Sequence, residues 1–215
     1  MQRFKDANLK INPLKCEFFR QHVPSLGHIV CRDGIQADPA KTSAVRQYPV
    51  PKSVTEVKSF LGLCSYYRRY VRDFAAIARP LHQLTEKMKE FHWHPESQKA
   101  FEQLKECLTS SPILAFPSMN APFILYTDAS QFAIGAVLAQ VQNGLERVIC
   151  YASKSLNKAQ SRYSTTKREL LAIVKYTRHF KHNLLGRRFQ IITDHRALLW
   201  LHNFKDPDAL TARWL

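Results

Sequence analysis

The chain has 215 residues, 45% of them hydrophobic, which is typical of a folded globular protein and excludes an intrinsically disordered one. No apolar run reaches the length of a membrane span, and the N-terminal residues lack the apolar core of a signal peptide, so we expect no membrane partner. With 32 Lys and Arg against 17 Asp and Glu, the formal net charge is +15. This excess favours an anionic partner such as nucleic acid over a basic surface that only faces solvent.

The five cysteines are widely spaced and none lies in a CxxC pair. We interpret them as reduced side chains of an intracellular protein, and the sequence does not distinguish cytoplasm from nucleus.

Residues 1–35 show short strand-like runs at 9–11, 16–19 and 26–30. Asp33-Gly34 is a turn signal and predicts a hairpin. Such a small piece buries little surface alone, so we interpret it as the end of a larger β-containing unit.

Residues 36–86 are predicted to be helical. Asp38 can cap a helix that has Pro39 at its first position, and Ser53 with Glu56 forms a capping box for a second helix. Four residues at helical spacing predict the buried face of that second helix: Val57, Phe60, Leu61 and Cys64.

Basic and aromatic residues follow directly in the stretch 66–72 (YYRRYVR). Arg68 and Arg69 beside tyrosines can grip phosphates and stack on sugars or bases. The alternative has equal weight at this point: Tyr67 and Tyr70 belong to the core, and the arginines are solvated.

Residues 87–118 are predicted to contain one helix that begins at Pro95. Phe101, Leu104 and Leu108 lie on one face of it. We expect this helix to be a connector that packs on the domain that follows.

From residue 119 the pattern changes to that of an α/β domain. Strands are predicted at 123–126, 133–140, 147–152 and 189–193, and a short helix at 196–202. A longer helix is predicted from the Ser164 cap to about 183, with one face formed by Leu170, Ile173, Val174 and Thr177. Gly135 would let a neighbour approach closely, and the stretch 142–144 (QNG) is a hairpin turn. This order predicts a mixed sheet crossed by a helix.

Three acids stand at the ends of these elements. Asp128 follows the first strand, Glu169 is placed in the first turn of the long helix, and Asp194 follows the last strand. Two Mg²⁺ ions held by such carboxylates can activate water and stabilise a leaving oxygen in phosphodiester hydrolysis.

Each acid also has an ordinary structural interpretation. Asp194 alone is better explained as a helix cap, Glu169 is favourable near a helix N-terminus, and Asp128 can open a turn with Ser130. All three together in one α/β unit are more specific than any one of them.

The long helix carries a strongly basic charge. Between residues 162 and 188 there are eight Lys or Arg and one acid, Glu169. A basic helix beside an acidic pocket favours a phosphate backbone as the partner, with Lys167, Arg168, Lys175 and Arg178 as candidate contacts.

Several segments resemble the polymerase of gypsy-type LTR retrotransposons. Its RNase H domain is matched at 123–130 (FILYTDAS), 135–140 (GAVLAQ), 151–156 (YASKSL), 163–174 (YSTTKRELLAIV) and 193–201 (TDHRALLWL). The last palm strands and the thumb of its reverse transcriptase are matched at 9–18 (LKINPLKCEF), 26–30 (LGHIV), 60–70 (FLGLCSYYRRY) and 79–84 (RPLHQL).

The resemblance implies partial palm strands with a primer-grip hairpin (1–35), a helical thumb (36–86), a connector helix (87–118) and a truncated, ribonuclease H-like mixed-sheet domain (119–215). Asp128, Glu169 and Asp194 match three of the family's four Mg²⁺-binding acids. The sequence Leu26-Gly27-His28 stands where the primer grip holds the primer terminus. The implied parent activity is RNA-directed DNA polymerisation with Mg²⁺-dependent cleavage of RNA in RNA–DNA hybrids.

The sequence departs from that family in two places. It contains no Asp-Asp pair of the kind that the polymerase site uses, and it ends at Leu215 before the position of the fourth RNase H acid, for which Asp206 and Asp208 come too early. We therefore expect hybrid binding with little or no cleavage and no polymerisation by this chain alone. The alternative is a non-catalytic nucleic-acid-binding relic or domesticated derivative.

Overall fold

We describe the protein from a computed structural model, which covers residues 2–16, 18–86, 90–195 and 198. The predicted helix at 196–202 and both Asp206 and Asp208 lie outside the described residues, apart from Leu198. The helices are α1 (Gln2–Asp6), α2 (Pro39–Arg46), α3 (Val54–Tyr66), α4 (Phe74–Ile77), α5 (Arg79–Gln83), α6 (Pro95–Thr109), α7 (Thr165–His179) and α8 (Lys181–Leu184). The strands are β1 (His22–Ser25), β2 (His28–Cys31), β3 (Gly34–Ala37), β4 (Phe123–Ala129), β5 (Ala133–Gln142), β6 (Leu145–Ser155) and β7 (Phe189–Ile192).

The N-terminal sheet is a three-stranded antiparallel meander in the order β1-β2-β3. The turn predicted at Asp33-Gly34 is confirmed, since Gly34 pairs with Cys31 across it. Leu26 and Gly27 form the turn before β2 instead of starting a strand, and both have a positive φ, of 47° and 76°.

Two predicted strands, at 9–11 and 16–19, do not appear among the described residues. Their large apolar side chains are exposed, with Leu9 at 60% and Phe18 at 63%. Side chains that favour strands form one only when a neighbouring strand pairs with them, and these have no such neighbour among the described residues.

We call the helices α2 to α5 the helical segment, and the first two of them, α2 and α3, begin at the predicted caps. The side chain of Asp38 accepts a hydrogen bond from the Ala40 backbone N–H, and that of Ser53 accepts one from Glu56. The Glu56 carboxylate completes the box one residue earlier than expected, because it accepts from the Lys52 N–H at 2.7 Å. The predicted buried face of α3 is confirmed.

Helix α6 packs back on the helical segment. Its residues Phe101, Leu104 and Leu108 share one core with Phe60 of α3 and Leu81 of α5. The expectation that this helix packs on the following domain is therefore wrong. The large rings explain the outcome, since Phe60 and Phe101 lie 4.6 Å apart between centroids and fill a common space.

The second sheet has the strand order β6-β5-β4-β7, with β4 and β7 parallel and the other pairs antiparallel, which confirms a mixed sheet. Asn143 and Gly144 form the predicted turn, both with positive φ. Helix α7 covers one face through Ala172 and Tyr176, which pack with Leu125 and other strand residues.

Helix α7 differs from its prediction in length and in its buried face. It ends at His179 and the short α8 follows, whereas one helix to about residue 183 was predicted. Its buried residues are Glu169, Leu170, Ala172 and Tyr176. Of the predicted apolar face, Leu170 is buried, whereas Ile173, Val174 and Thr177 are half-buried.

The helical segment covers the opposite face of this sheet. Alternation along β6 directs Tyr151 and Ser153 away from α7, and Tyr151 packs against the helical core. The backbone N–H of Ala75 donates to the buried Ser153 hydroxyl at 2.9 Å, and the Arg68 guanidinium donates to the Ser153 carbonyl. Among the described residues, no helix is both long enough and apolar enough to cross a membrane.

Candidate metal centre and nucleic-acid interface

The three acids predicted from the sequence lie together at one edge of the mixed sheet. Asp128 lies near the end of β4 and Asp194 just after β7, and because these strands are parallel, their ends meet at the same edge. Glu169 reaches this edge from α7. One carboxylate oxygen from each residue lies within 4.8 Å of the others. We call these three residues the acid cluster.

Glu169 is the most constrained member of the acid cluster. It is only 3% exposed, and its Oε2 has no hydrogen-bond partner. It is the fifth residue of α7, not part of the first turn as predicted, so the favourable field of the helix N-terminus does not account for its position.

Burial, together with the nearby charges of Asp128 and Asp194, raises the pKa of Glu169 to about 7. A backbone hydrogen bond from Ala129 and the Arg168 charge act in the opposite direction and lower the pKa. A buried carboxylate without full compensation destabilises the fold. A bound cation would remove this cost.

The residues fit a divalent metal ion. All three ligands are carboxylates, the donor type that Mg²⁺, Mn²⁺ and Ca²⁺ prefer. Asp128 and Asp194 are exposed and leave access from solvent, whereas Glu169 fixes the inner wall. The unpartnered Oε2 of Glu169 is the strongest local sign that the acid cluster has a cationic ligand.

Two contacts of the neighbouring residue His195 fix the segment that carries Asp194. The imidazole Nε2 of His195 lies 2.9 Å from the Thr166 hydroxyl of α7, and the backbone N–H of His195 contacts the Thr193 hydroxyl at 3.3 Å. These contacts tie the segment after β7 to the helix that carries Glu169. Sequence reasoning missed Thr166 and His195, because a hydrogen bond over 29 residues leaves no local pattern.

A cavity of about 320 Å³ opens beside the acid cluster. Its wall includes Asp128 and Asp194 and also two residues of the helical segment, Arg72 and Asp73. The close neighbour that Gly135 was predicted to admit is Asp73: a Cβ on Gly135 would lie 2.6 Å from the Asp73 Oδ1. The sequence indicated the gap but not the residue that fills it.

The predicted basic contacts occupy different environments on α7. Lys175 and Arg178 are exposed, whereas Lys167 and Arg168 are half-buried. The Arg168 Nη2 donates to the Thr165 hydroxyl at 3.2 Å, and its buried Nε has no hydrogen-bond partner. Lys175 and Arg178 therefore offer the more accessible positive charge of these four.

The Leu26-Gly27 turn is held by tyrosines at the end of α3. The Tyr66 hydroxyl donates to the Leu26 carbonyl, and the Tyr67 hydroxyl donates to the Gly27 carbonyl at 2.9 Å. The side chain of Leu26 remains 86% exposed at the tip. We call Leu26 and Gly27 the anchored turn.

His28, the next residue, is enclosed by the same aromatic group. Its ring stacks on Tyr66 at 5.5 Å between centroids, and its Nδ1 lies 3.0 Å from the Tyr70 hydroxyl. Burial lowers the pKa of His28, and the nearby Arg69 charge lowers it further. Tyr67 and Tyr70 are buried, so of the two interpretations left open for them the core one is correct.

The two arginines of this stretch also face the mixed sheet. Arg68 bonds the Ser153 carbonyl and lies over the Phe74 ring, 5.5 Å from its centroid. Burial raises the pKa of Cys150 on β6, whereas the charge of Arg69 and its hydrogen bond to Cys150 lower it. Both arginines therefore join the helical segment to the sheet.

The matching family model and the similar proteins agree with each other. Residues 93–191 match the model of the RNase H-like domain found in reverse transcriptase. The chain is 44% identical over 213 residues to the retrovirus-related Pol polyprotein from transposon 297 of Drosophila melanogaster, covering 99% of this chain and 20% of the relative. It is 38% identical over 222 residues to the corresponding polyprotein from transposon gypsy of the same fly, covering 97% and 21%. The chain thus spans about a fifth of the length of these relatives.

A solved structure shares the fold. The foamy viral protease-reverse transcriptase in complex with RNA/DNA hybrid superimposes with a TM-score of 0.76 at 20% sequence identity. The match covers 94% of this chain and 28% of that one. At this level of identity the likeness establishes the fold alone.

Proposed function

This chain carries the RNase H-like domain found in reverse transcriptase and is homologous to retrotransposon Pol polyproteins, and from that premise we propose that it binds RNA–DNA hybrid and divalent metal ions. In the polyprotein, the acid cluster would serve Mg²⁺-dependent cleavage of the RNA strand. Residues 1–35 would correspond to the end of the reverse transcriptase palm, and residues 36–86 to its thumb. The parent polyprotein would also carry out RNA-directed DNA synthesis.

One observation carries this proposal. Three carboxylates, each with one oxygen within 4.8 Å of the others, converge where β4 and β7 end. One of them, Glu169, is buried and has an oxygen without a hydrogen-bond partner. An arrangement built only for stability would pair or expose that oxygen. A divalent ion supplies the missing charge, and when bound it activates water and stabilises the leaving oxygen of a phosphodiester.

In this scheme, residues of the chain bind the metal ion and the hybrid, and others hold Asp194 in position. The carboxylates of Asp128, Asp194 and Glu169 would hold the ion. Thr166 and His195 keep Asp194 against α7 through their 2.9 Å contact. Lys175 and Arg178, which lie further along α7 than Glu169, would meet phosphates of the hybrid.

The anchored turn would contact the hybrid at a second place. Its carbonyl groups are tied to tyrosines, which leaves the Leu26 side chain as the exposed tip. Because this turn is already fixed in the free protein, it loses little conformational entropy when its apolar tip contacts a sugar–phosphate backbone or a base edge. Leu26, Gly27 and His28 are therefore proposed nucleic-acid contacts, as are Arg68 and Arg69 at their junction with the sheet.

Binding and cleavage of a labelled RNA–DNA hybrid test the proposal. Binding should weaken steeply with salt, and replacing Lys175 and Arg178 by Gln should lower the slope of log K against log salt by about 2, since each phosphate contact contributes about 1. The same change at the exposed Lys58 and Lys99 on α3 and α6 is the matched control. RNA cleavage in Mg²⁺ or Mn²⁺ that persists in Asp128→Asn would contradict the assignment of the acid cluster, as would salt-independent binding.

A further inference from the structure

The helical segment places a carboxylate against the strand that faces Asp128. Gly135 of β5 is the direct cross-strand partner of Asp128, so the two residues point to the same face of the sheet. The Asp73 Oδ1 occupies the space over Gly135, 2.6 Å from where a Cβ would stand. Any other residue at position 135 would displace Asp73.

The Asp73 side chain has no role in capping the helix that it precedes. It occupies the N-cap position of α4, yet its side chain makes no capping hydrogen bond, and its backbone is left-handed with φ of 54°. Its ion pair with Arg72 spans 3.6 Å between Nε and Oδ2, with side-chain exposures of 73% and 45%. Such an exposed pair contributes little, so it does not explain why the carboxylate lies here.

Negative charge is concentrated around the cavity beside the acid cluster. Asp73, Asp128 and Asp194 line its wall, and Arg72 is the basic residue among its lining. Behind them, the buried Glu169 carries the unpartnered Oε2. Four carboxylates around one space repel each other unless a cation lies among them.

We propose that Asp73 is a fourth carboxylate of the metal centre, contributed by the helical segment to the acid cluster of the RNase H-like domain. This inference rests on the proposed function, because it takes the three-acid cluster to be a divalent-ion site. It goes beyond that function by making the metal centre a composite of two parts of the chain.

Asp73 acts through the water shell of the ion. It is not among the residues whose ligand oxygens lie within 4.8 Å of one another, so direct coordination belongs to the other three. Mg²⁺ keeps several of its water ligands in proteins, and a carboxylate near those waters accepts their hydrogen bonds. Ion binding thereby joins the helical segment to the mixed sheet.

Ion-dependent stability of the 215-residue chain tests this role. Thermal unfolding is measured with and without Mn²⁺ for the wild type, for Asp73→Asn and for Asp33→Asn, an exposed acid in the β2–β3 turn. Asn tolerates the left-handed conformation, so Asp73→Asn should keep the backbone. We expect Asp73→Asn to match or exceed the wild-type melting temperature in chelator, to gain less from Mn²⁺, and to bind Mn²⁺ about ten-fold more weakly.

Several results would overturn the inference. One is an unchanged Mn²⁺ affinity in Asp73→Asn, and another is a loss of stability that is equal with and without the ion, since that would indicate a purely structural role. Asp33→Asn should behave as the wild type. An equal effect in Asp33→Asn would mean that Asp73→Asn acts only by changing the net charge of the protein, and it would overturn the inference.

A second pair of variants keeps this inference separate from the proposed function. Gly135→Ala displaces the Asp73 carboxylate without removing a charge, and it should weaken Mn²⁺ binding as Asp73→Asn does. Asp128→Asn removes a direct ligand. If Asp128→Asn abolishes binding while Asp73→Asn and Gly135→Ala do not weaken it, only the fourth carboxylate is refuted. If Asp128→Asn binds Mn²⁺ normally, the proposed function itself fails.

Discussion

The acid cluster and the anchored turn differ in how their polar atoms are satisfied. At the turn, the carbonyl oxygens of Leu26 and Gly27 each accept a tyrosine hydroxyl, and the His28 ring has the Tyr70 hydroxyl beside it. At the acid cluster, a buried oxygen of Glu169 has no partner. Satisfied groups fix the shape of a surface, whereas an unsatisfied buried charge indicates a ligand that completes it.

The two regions also differ in what positions them. The acids stand at the ends of β4 and β7 and in the second turn of α7, so regular backbone fixes them. The turn depends on side-chain hydrogen bonds that reach across 40 residues of sequence. We therefore expect substitutions in the acid cluster to change ion binding and substitutions around the turn to change local stability.

The largest expected effect is at Glu169. In chelator at pH 8, Glu169→Gln should raise the free energy of unfolding by roughly 2 kcal/mol, because it removes a buried, uncompensated charge. The same variant should lose the stabilisation that Mn²⁺ gives the wild type. Chemical denaturation with and without the ion measures both effects. A variant less stable than the wild type in chelator would show that the carboxylate is satisfied without a ligand.

A smaller effect is expected at the anchored turn. Tyr67→Phe removes the half-buried hydrogen bond to Gly27 and should cost about 1 kcal/mol of stability and weaken hybrid binding. Tyr48→Phe removes a hydroxyl-to-carbonyl bond of the same kind, to Glu56, at a more exposed place in the helical segment. It should leave hybrid affinity unchanged. Equal loss of affinity in both variants would mean that the turn has no specific part in binding.

The smallest effect is the pH dependence at His28. Its pKa is lowered in the fold, so the folded state prefers the neutral ring, and the stability that this gives at neutral pH is lost as the pH falls below the ordinary histidine range. The groups facing the ring are Tyr66, Tyr67, Tyr70 and the Arg69 charge. We expect His28→Gln to show a shallower loss of stability between pH 7 and pH 5. The pKa values of His82 and His179 are also lowered. Both residues are present in the wild type and in the variant, so their contributions to the pH dependence cancel in the comparison. Parallel curves for the two proteins would refute a half-buried His28 that the fold keeps neutral.

Local signals in the sequence were sufficient for much of the fold. Asp38, Ser53 and Ser164 each begin a helix as predicted, and Asn143 with Gly144 makes the predicted turn. These features depend on hydrogen bonds and dihedral angles within a few residues, which sequence patterns record directly. The grouping of Asp128 and Asp194 was also predictable, because both stand at the ends of recognisable strands.

Long-range packing was not predictable in the same way. Helix α6 has one apolar face, but the pattern does not say which neighbour covers it. The contact of Asp73 with Gly135 and the tyrosine bonds to the turn join residues 40 or more positions apart. The burial of Glu169 likewise depends on how α7 sits on the sheet, a tertiary property that helical periodicity does not contain.

Calorimetric titration of Mn²⁺ into the wild type and Asp128→Asn tests the central claim most directly. The account predicts saturable binding to the wild type and at least about 100-fold weaker binding when Asp128 loses its charge, with the fold retained by circular dichroism. Equal affinity in the two proteins, or no saturable binding to the wild type, would contradict the assignment of Asp128, Glu169 and Asp194 as a metal centre.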